Sequence, residues 1–366
     1  MSSLEAASQF RKYVMGLFTL GLSSVLVFLI MGHSTRVAAE GSKPSNVFPS
    51  NASKGMPISE SDLEKINYHG YMPQGLWRLG DGVLFPAYAL VVDKSKKKIH
   101  VIDNSSGSPT VIESFDSDLG KSAGDKTLSG DGRTPEGIYF LQKSLEGPGL
   151  DPYKYGVHAY TTDYPNIFDL RKGKTGYGIW LHAIDEKQTL ERGSQGCVVV
   201  RNETIKRLAQ NITLRETPLM IFDKVQWIPA DSSKKEMEPV LEAVNDWRKA
   251  WESKDMDSYM KFYPADFKFG KLNRERFRRY KQGLAERYSN IKVTLSMPVI
   301  YAHKDTLVVR FYQDYSSPDH TDFGEKTLYM VKSPTGYEIL NETWQESTNP
   351  NAKSYLASGT NLCCKF

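Results

Sequence analysis

The feature that most constrains this chain is a change of hydrophobic period. Between Tyr88 and Phe222 the apolar residues come in short, β-branched runs: YALVVD and KIHVID around a Lys-rich turn, then VIESF, GIYFLQ, YGIWLHAI, CVVV and LMIF. Their length and the turn residues between them predict strands, the first two forming a hairpin. Asn202, just after CVVV, predicts the N-cap of a helix ETIKRLAQNI. Past the polar stretch DSSKKEME the spacing changes, because Leu241, Val244, Trp247 and Trp251 fall on one helical face. A second helix is expected with Phe277, Tyr280, Leu284 and Tyr288 inward, followed by strand runs IKVTLSMPVIYA, TLVVRFYQDY, EKTLYMVK and GYEILNETWQ. One period cannot describe both halves, so the 366 residues predict a mostly β domain and then an α+β one.

The boundaries follow composition. Residues 1–39 carry the N-terminal signal, 40–84 a linker and short helical leader (SESDLEKI), 85–225 the β domain, 226–237 a linker, 238–348 the α+β domain and 349–366 a tail. In the first segment Arg11 and Lys12 precede nineteen uncharged residues, Tyr13 to Met31, a hydrophobic helix, and then Val37 and Ala39 at positions suited to cleavage. Two readings stay open, a cleaved signal peptide and an uncleaved inner-membrane anchor. Both place the rest of the chain outside the inner membrane, in the periplasm or cell envelope.

Charge excludes one class of partner. Lys plus Arg number 47 against 43 Asp plus Glu, and a net +4 gives no electrostatic footprint for nucleic acid. The run Lys268, Lys271, Arg274, Arg276, Arg278, Arg279 and Lys281 reads as a solvated helix face. No His, Cys or carboxylate cluster has metal-ligand spacing, so neither metal nor other cofactor is expected.

Of three cysteines, Cys363 and Cys364 are adjacent, leaving Cys197 alone in mid-chain. Alone, it reads either as a small buried hydrophobe or as a reactive thiol. A catalytic thiol must ionise, and for that it needs an oriented base. His182 ends one predicted strand and Cys197 begins another fifteen positions later, so adjacent strands would bring both to one sheet end. Gly193 and Gly196 flank Ser194, letting the loop turn tightly and present amides to an oxyanion. Ser194 reads as a loop hydroxyl that helps orient the site.

His182 with Ser194, Gly196 and Cys197 resembles the signature of the L,D-transpeptidase (YkuD) catalytic domain, a histidine followed by Ser-x-Gly-Cys. Gly130, Thr134, Pro135 and Gly137 resemble that family's Thr-Pro-x-Gly turn. The resemblance implies a β-sandwich with short helices, catalysis by Cys197 and His182, and a backbone carbonyl at Ala183 that orients the imidazole. Ser194, Gly196 and Arg201 are expected on the substrate side. The family pattern runs Cys-Ile-Arg, whereas Val199 stands at the arginine position here and Arg201 lies two residues on. By pattern, the C-terminal half resembles an NTF2-like cone, which implies a pocket for a small ligand or glycan. The pair of domains resembles cell-shape-determining peptidoglycan enzymes, some of them L,D-carboxypeptidases. The implied partner is the peptidoglycan stem peptide, attacked at its diamino acid–D-Ala bond through a Cys thioester. Transpeptidation, hydrolysis to a tripeptide and a non-catalytic wall-binding role are the outcomes left open.

Overall fold

The computed structural model describes residues 60–66, 68–349 and 351–357. The Tyr13–Met31 stretch with its flanks, the linker before residue 58 and the Cys363–Cys364 pair lie outside the described residues. Among those described, no helix is long and apolar enough to cross a membrane.

Helix α1 (Glu60–Lys65) leads into two short strands, β1 (Tyr71–Pro73) and β2 (Leu76–Arg78). The predicted hairpin follows as β3 (Tyr88–Asp93) and β4 (Lys98–Asp103), with Val91 opposite His100. Then come β5 (Thr110–Asp116), β6 (Gly137–Glu146), helix α2 (Pro152–Tyr155), β7 (His158–Thr162), helix α3 (Ile167–Arg171), β8 (Trp180–Ile184), β9 (Val198–Arg201), helix α4 (Asn202–Ala209) and β10 (Pro218–Phe222). The longer strands form one eight-stranded sheet ordered β5-β4-β3-β10-β6-β7-β8-β9. Strand β6 is its pivot. The first half pairs with β10, and past a register shift between Leu141 and Lys143 the second half pairs with β7. Such a break lets a strand change sheets. The two halves close over a shared core in which Leu90, Val92 and Ile99 meet Leu181, Val198 and Val200.

Asn202 does not cap α4. Arg201 holds the N-cap position without a side-chain bond, and Asn202 Oδ1 accepts the Val157 amide at 3.0 Å instead. The loop after α2 passes close enough to compete for that oxygen.

In the second half β11 (Trp227–Pro229) pairs back to β1, and α5 (Ser233–Glu252) turns Leu241, Val244, Trp247 and Trp251 inward as the spacing predicts. After α6 (Met256–Met260), β12 (Lys268–Phe269) and β13 (Leu272–Asn273) comes α7 (Arg274–Arg287). Strands β14 (Lys292–Leu295), β15 (Val299–His303), β16 (Thr306–Ser317), β17 (His320–Ser333) and β18 (Gly336–Glu346) form an antiparallel sheet that shares a core with the three helices. A last helix, α8 (Ala352–Ala357), buries Ala352 and Leu356.

Two expectations fail on α7. Tyr280 is 44% exposed, while Phe277 and Ala285 are buried and Leu284 and the C-cap residue Tyr288 pack against the core as expected. The inward stripe is rotated because Lys281 turns into the core, its Nζ 3.7 Å from Glu342 and 5.0 Å from the centre of the Trp251 ring. The basic run is therefore not one solvated face, and Arg274 also leaves it, donating to the carbonyls of Met260 and Tyr263.

The leader continues into the fold. Strand β2 joins the edge of the C-terminal sheet against β15. Leu63, Tyr68, Met72 and Leu76 pack in a core shared by Val91, Phe140 and Met220 of the first sheet and Val299, Tyr301 and Tyr312 of the second.

Candidate active site

The parallel pair β8–β9 places His182 opposite Val199 and Leu181 opposite Val198. Side chains alternate along a strand, so Cys197, two residues before Val199, projects from the same face as His182, one step back along the sheet. The loop between them is held by a segment that sequence reading passed over. Buried Asp118 accepts the Gly193 amide at 2.7 Å and exchanges two backbone bonds with Val199, and Ser194 N–H donates to Leu119 at 2.7 Å. The one available signal was an Asp followed by Leu-Gly, too common to single out.

Ser194 Oγ donates to the Cys197 carbonyl at 2.7 Å and accepts the Gly196 amide at 3.0 Å. The Gly196 N–H expected at an oxyanion is thus already engaged. Among the described residues the Cys197 amide has no hydrogen-bond partner. Gly196 itself has φ +130°, and a Cβ there would lie 2.6 Å from the Arg133 carbonyl oxygen, so no other residue fits without displacing backbone.

The half-buried Cys197 has its Sγ 3.5 Å from the Gly178 carbonyl. Burial pushes the thiol up to about 11, against the opposing pull of the Trp180 amide facing the sulfur and of Lys126. His182 is 4% exposed, and its Nδ1 donates to the Ala183 carbonyl at 2.6 Å. Burial takes the imidazole down to about 4; the Ala183 bond opposes this and Arg192 reinforces it. The Tyr155 ring stands edge-on to the imidazole, centroids 5.2 Å apart. The pair therefore rests as thiol and neutral imidazole. With the proton on Nδ1, the lone pair is on Nε2, to which no bond forms among the described residues.

The register thus sets a thiol and an imidazole on one sheet face. The family model of the L,D-transpeptidase catalytic domain (YkuD) matches residues 87–266, and that of the Cds6 C-terminal NTF2-like domain matches residues 239–343. The solved structure of Bd1075 from Bdellovibrio bacteriovorus is 41% identical, covering 76% of this chain and 99% of that one, with a TM-score of 0.69. The chain belongs to the L,D-transpeptidase family.

A second similar solved structure is that of Pgp2 from Campylobacter jejuni, a helical cell shape determining protein. It is 26% identical over 77% of this chain and 97% of that one, with a TM-score of 0.58. No curated protein matches. The family makes this protein a peptidoglycan-acting enzyme with a C-terminal NTF2-like domain.

At the position of the L,D-transpeptidase arginine, Val199 is buried beneath the site. Arg201 shares the face of Cys197 two alternations further on, and its Nη1 donates to the Gln188 carbonyl at 2.7 Å. In the NTF2-like domain, buried Glu342 accepts the Tyr263 hydroxyl at 3.1 Å and lies 3.7 and 3.6 Å from Lys281 and Lys326. Trp247, Trp251 and Tyr259 line this cluster.

Proposed function

We propose that this protein cleaves the bond between the diamino acid and D-Ala of peptidoglycan tetrapeptide stems, passing the acyl group through a thioester on Cys197. The observation that carries the reading is the β8–β9 register, which sets the sulfur and the imidazole on one face, together with the Nδ1 bond that leaves Nε2 as the basic nitrogen.

From a neutral pair, His182 Nε2 takes the thiol proton as sulfur attacks the carbonyl carbon, so charge passes to the carbonyl oxygen and does not accumulate on a buried sulfur. The unpartnered Cys197 amide is the donor at hand for that oxygen. The imidazolium then protonates the departing amine of D-Ala, leaving the thioester. Ala183 orients the ring, while Ser194 and Gly196 shape the nucleophile turn. An amine acceptor gives a cross-link and water gives a tripeptide. Likeness over nearly the whole length of a cell-shape-determining protein supports water, hence an L,D-carboxypeptidase. We take residues 85–225 as the catalytic domain and 238–348 as the NTF2-like one, which holds a small ligand or glycan, and the enzyme as exported to the periplasm.

Incubating purified sacculi with the wild type and with Cys197→Ala, followed by mass spectrometry of the muropeptides, tests this. Cysteine-dependent tripeptides support hydrolysis, and new cross-links support transfer. No cysteine-dependent change leaves a wall-binding protein.

A further inference from the structure

We propose that Arg133 binds the free carboxylate of the D-Ala leaving group beside Cys197, a task that Val199 cannot perform. The inference rests on the proposed cleavage of tetrapeptide stems and names the residue that selects them.

Position comes first. The carbonyl of Arg133 is the atom that a side chain at Gly196 would meet, so Arg133 lies directly against the residue preceding the nucleophile. Its turn is fixed from several sides. The Arg133 amide donates to Asp131 Oδ1 at 3.1 Å, Thr134 Oγ1 accepts the Gly120 amide at 2.8 Å, and Lys94 Nζ donates to the Thr134 carbonyl at 2.9 Å. A guanidinium carried on this turn is presented by a rigid support.

Chemistry decides the role. Arg133 Nε is buried with no acceptor, and among the described residues its guanidinium makes no hydrogen bond or ion pair. Three buried lysines of this domain are each paired with carboxylates, Lys94 with Glu136, Lys126 with Asp131, and Lys174 with Asp125 and Asp169, so those carboxylates are already engaged. Asp131, close in sequence, is taken up by Lys126 and by the amides of Thr127, Leu128 and Arg133. A buried donor on a cation is costly to leave unmade. Carboxylate is the partner whose two oxygens fit the planar fork of arginine. The leaving D-Ala carries such a group one residue beyond the attacked carbonyl.

The test compares a tetrapeptide stem ending in a free carboxylate with the same peptide ending in a carboxamide. The wild type should prefer the acid by about ten- to a hundredfold in kcat/KM, the range of a charge-assisted hydrogen bond. Arg133→Gln should abolish that preference by slowing turnover of the acid far more than that of the amide, and Arg133→Lys should restore part of it. The alkylation rate of Cys197 and the melting temperature should match the wild type in both variants. A preference that survives in Arg133→Gln, or equal loss on both peptides, overturns the assignment. If the wild type cleaves neither peptide, it is the cleavage reading that fails. Calorimetry of acid and amide binding to Cys197→Ala, with and without Arg133→Gln, then judges Arg133 separately, and equal affinities in that comparison overturn it.

Discussion

His182 donates from Nδ1 to the carbonyl of its own neighbour Ala183, 2.6 Å away. A buried imidazole in a catalytic pair needs one nitrogen pinned so that the other is a base. Here the backbone does the pinning, without a carboxylate. Burial takes the ring down to about 4, and among the described residues no carboxylate bonds to it to oppose that shift.

The first prediction concerns pH. Because the imidazole is basic above about 4 and the thiol stays protonated to about 11, the neutral pair spans the interval between them. Acylation by substrate should hold across neutrality, with no step near the ordinary histidine value of 6.5, and should fall as pH drops through about 4. Iodoacetamide, which has no use for the base, should alkylate Cys197 slowly at neutrality and about tenfold faster per pH unit toward 11. A plateau in alkylation from pH 6 upward would instead reveal a preformed thiolate. Stability carries the same sign. The folded histidine binds its proton below the unfolded value, so stability should decline from pH 6.5 toward 4, and His182→Gln should flatten that slope.

The nucleophile turn should be intolerant at Gly196 and graded at Ser194. Gly196→Ala would put a methyl group into the Arg133 carbonyl at a positive φ, and we expect a loss of at least about 2 kcal/mol in denaturant unfolding along with activity. Ser194→Ala frees the Gly196 amide and the Cys197 carbonyl together. It should cost about 1–2 kcal/mol of transition-state stabilisation, read as kcat/KM, with partial rescue by Thr.

Across the domain junction Glu136 bridges buried Lys94 at 3.1 Å and exposed Lys304 at 3.1 Å. Lys304→Ala should change stability by less than about 1 kcal/mol, because its end of the pair is solvated. Glu136→Ala strands the Lys94 charge in the interior and should cost about 3 kcal/mol or more. Comparable effects from the two variants in chemical denaturation would contradict this assignment of burial.

Inside the NTF2-like domain, Glu342 is the carboxylate shared by Lys281 and Lys326. Glu342→Ala leaves two buried cations unbalanced, and a loss of about 3–5 kcal/mol is expected. Adding Lys281→Met to that variant should recover part of the loss, since a flexible apolar chain suits the aromatic wall formed by Trp251, Tyr259 and Phe277. Thermal melts of the single and double variants measure both steps.

Much of this molecule is written locally. Alternating and β-branched runs marked β3, β4, β6, β8, β9 and β10, a three-and-four spacing marked α5, and the spacing of His182, Ser194, Gly196 and Cys197 marked the chemistry, because each depends on residues near one another in the chain. What depends on contacts far apart in sequence was not legible. The three-residue strands β1 and β2 carry no period, and they are ordered by pairing with β11 and β15, whose partner residues lie 154 or more positions away, Pro73 to Trp227 being the shortest span. The inward turn of Lys281 needs Glu342 opposite it, and the grip of Asp118 on the nucleophile loop needs Gly193 to arrive beside it. The sequence alone singled out the thiol and imidazole proposed to react, because those residue types at that spacing match a family signature. Tertiary structure decided their resting protonation, because burial is a property of the packed chain, and it set Arg133 against Gly196 without a counter-charge among the described residues.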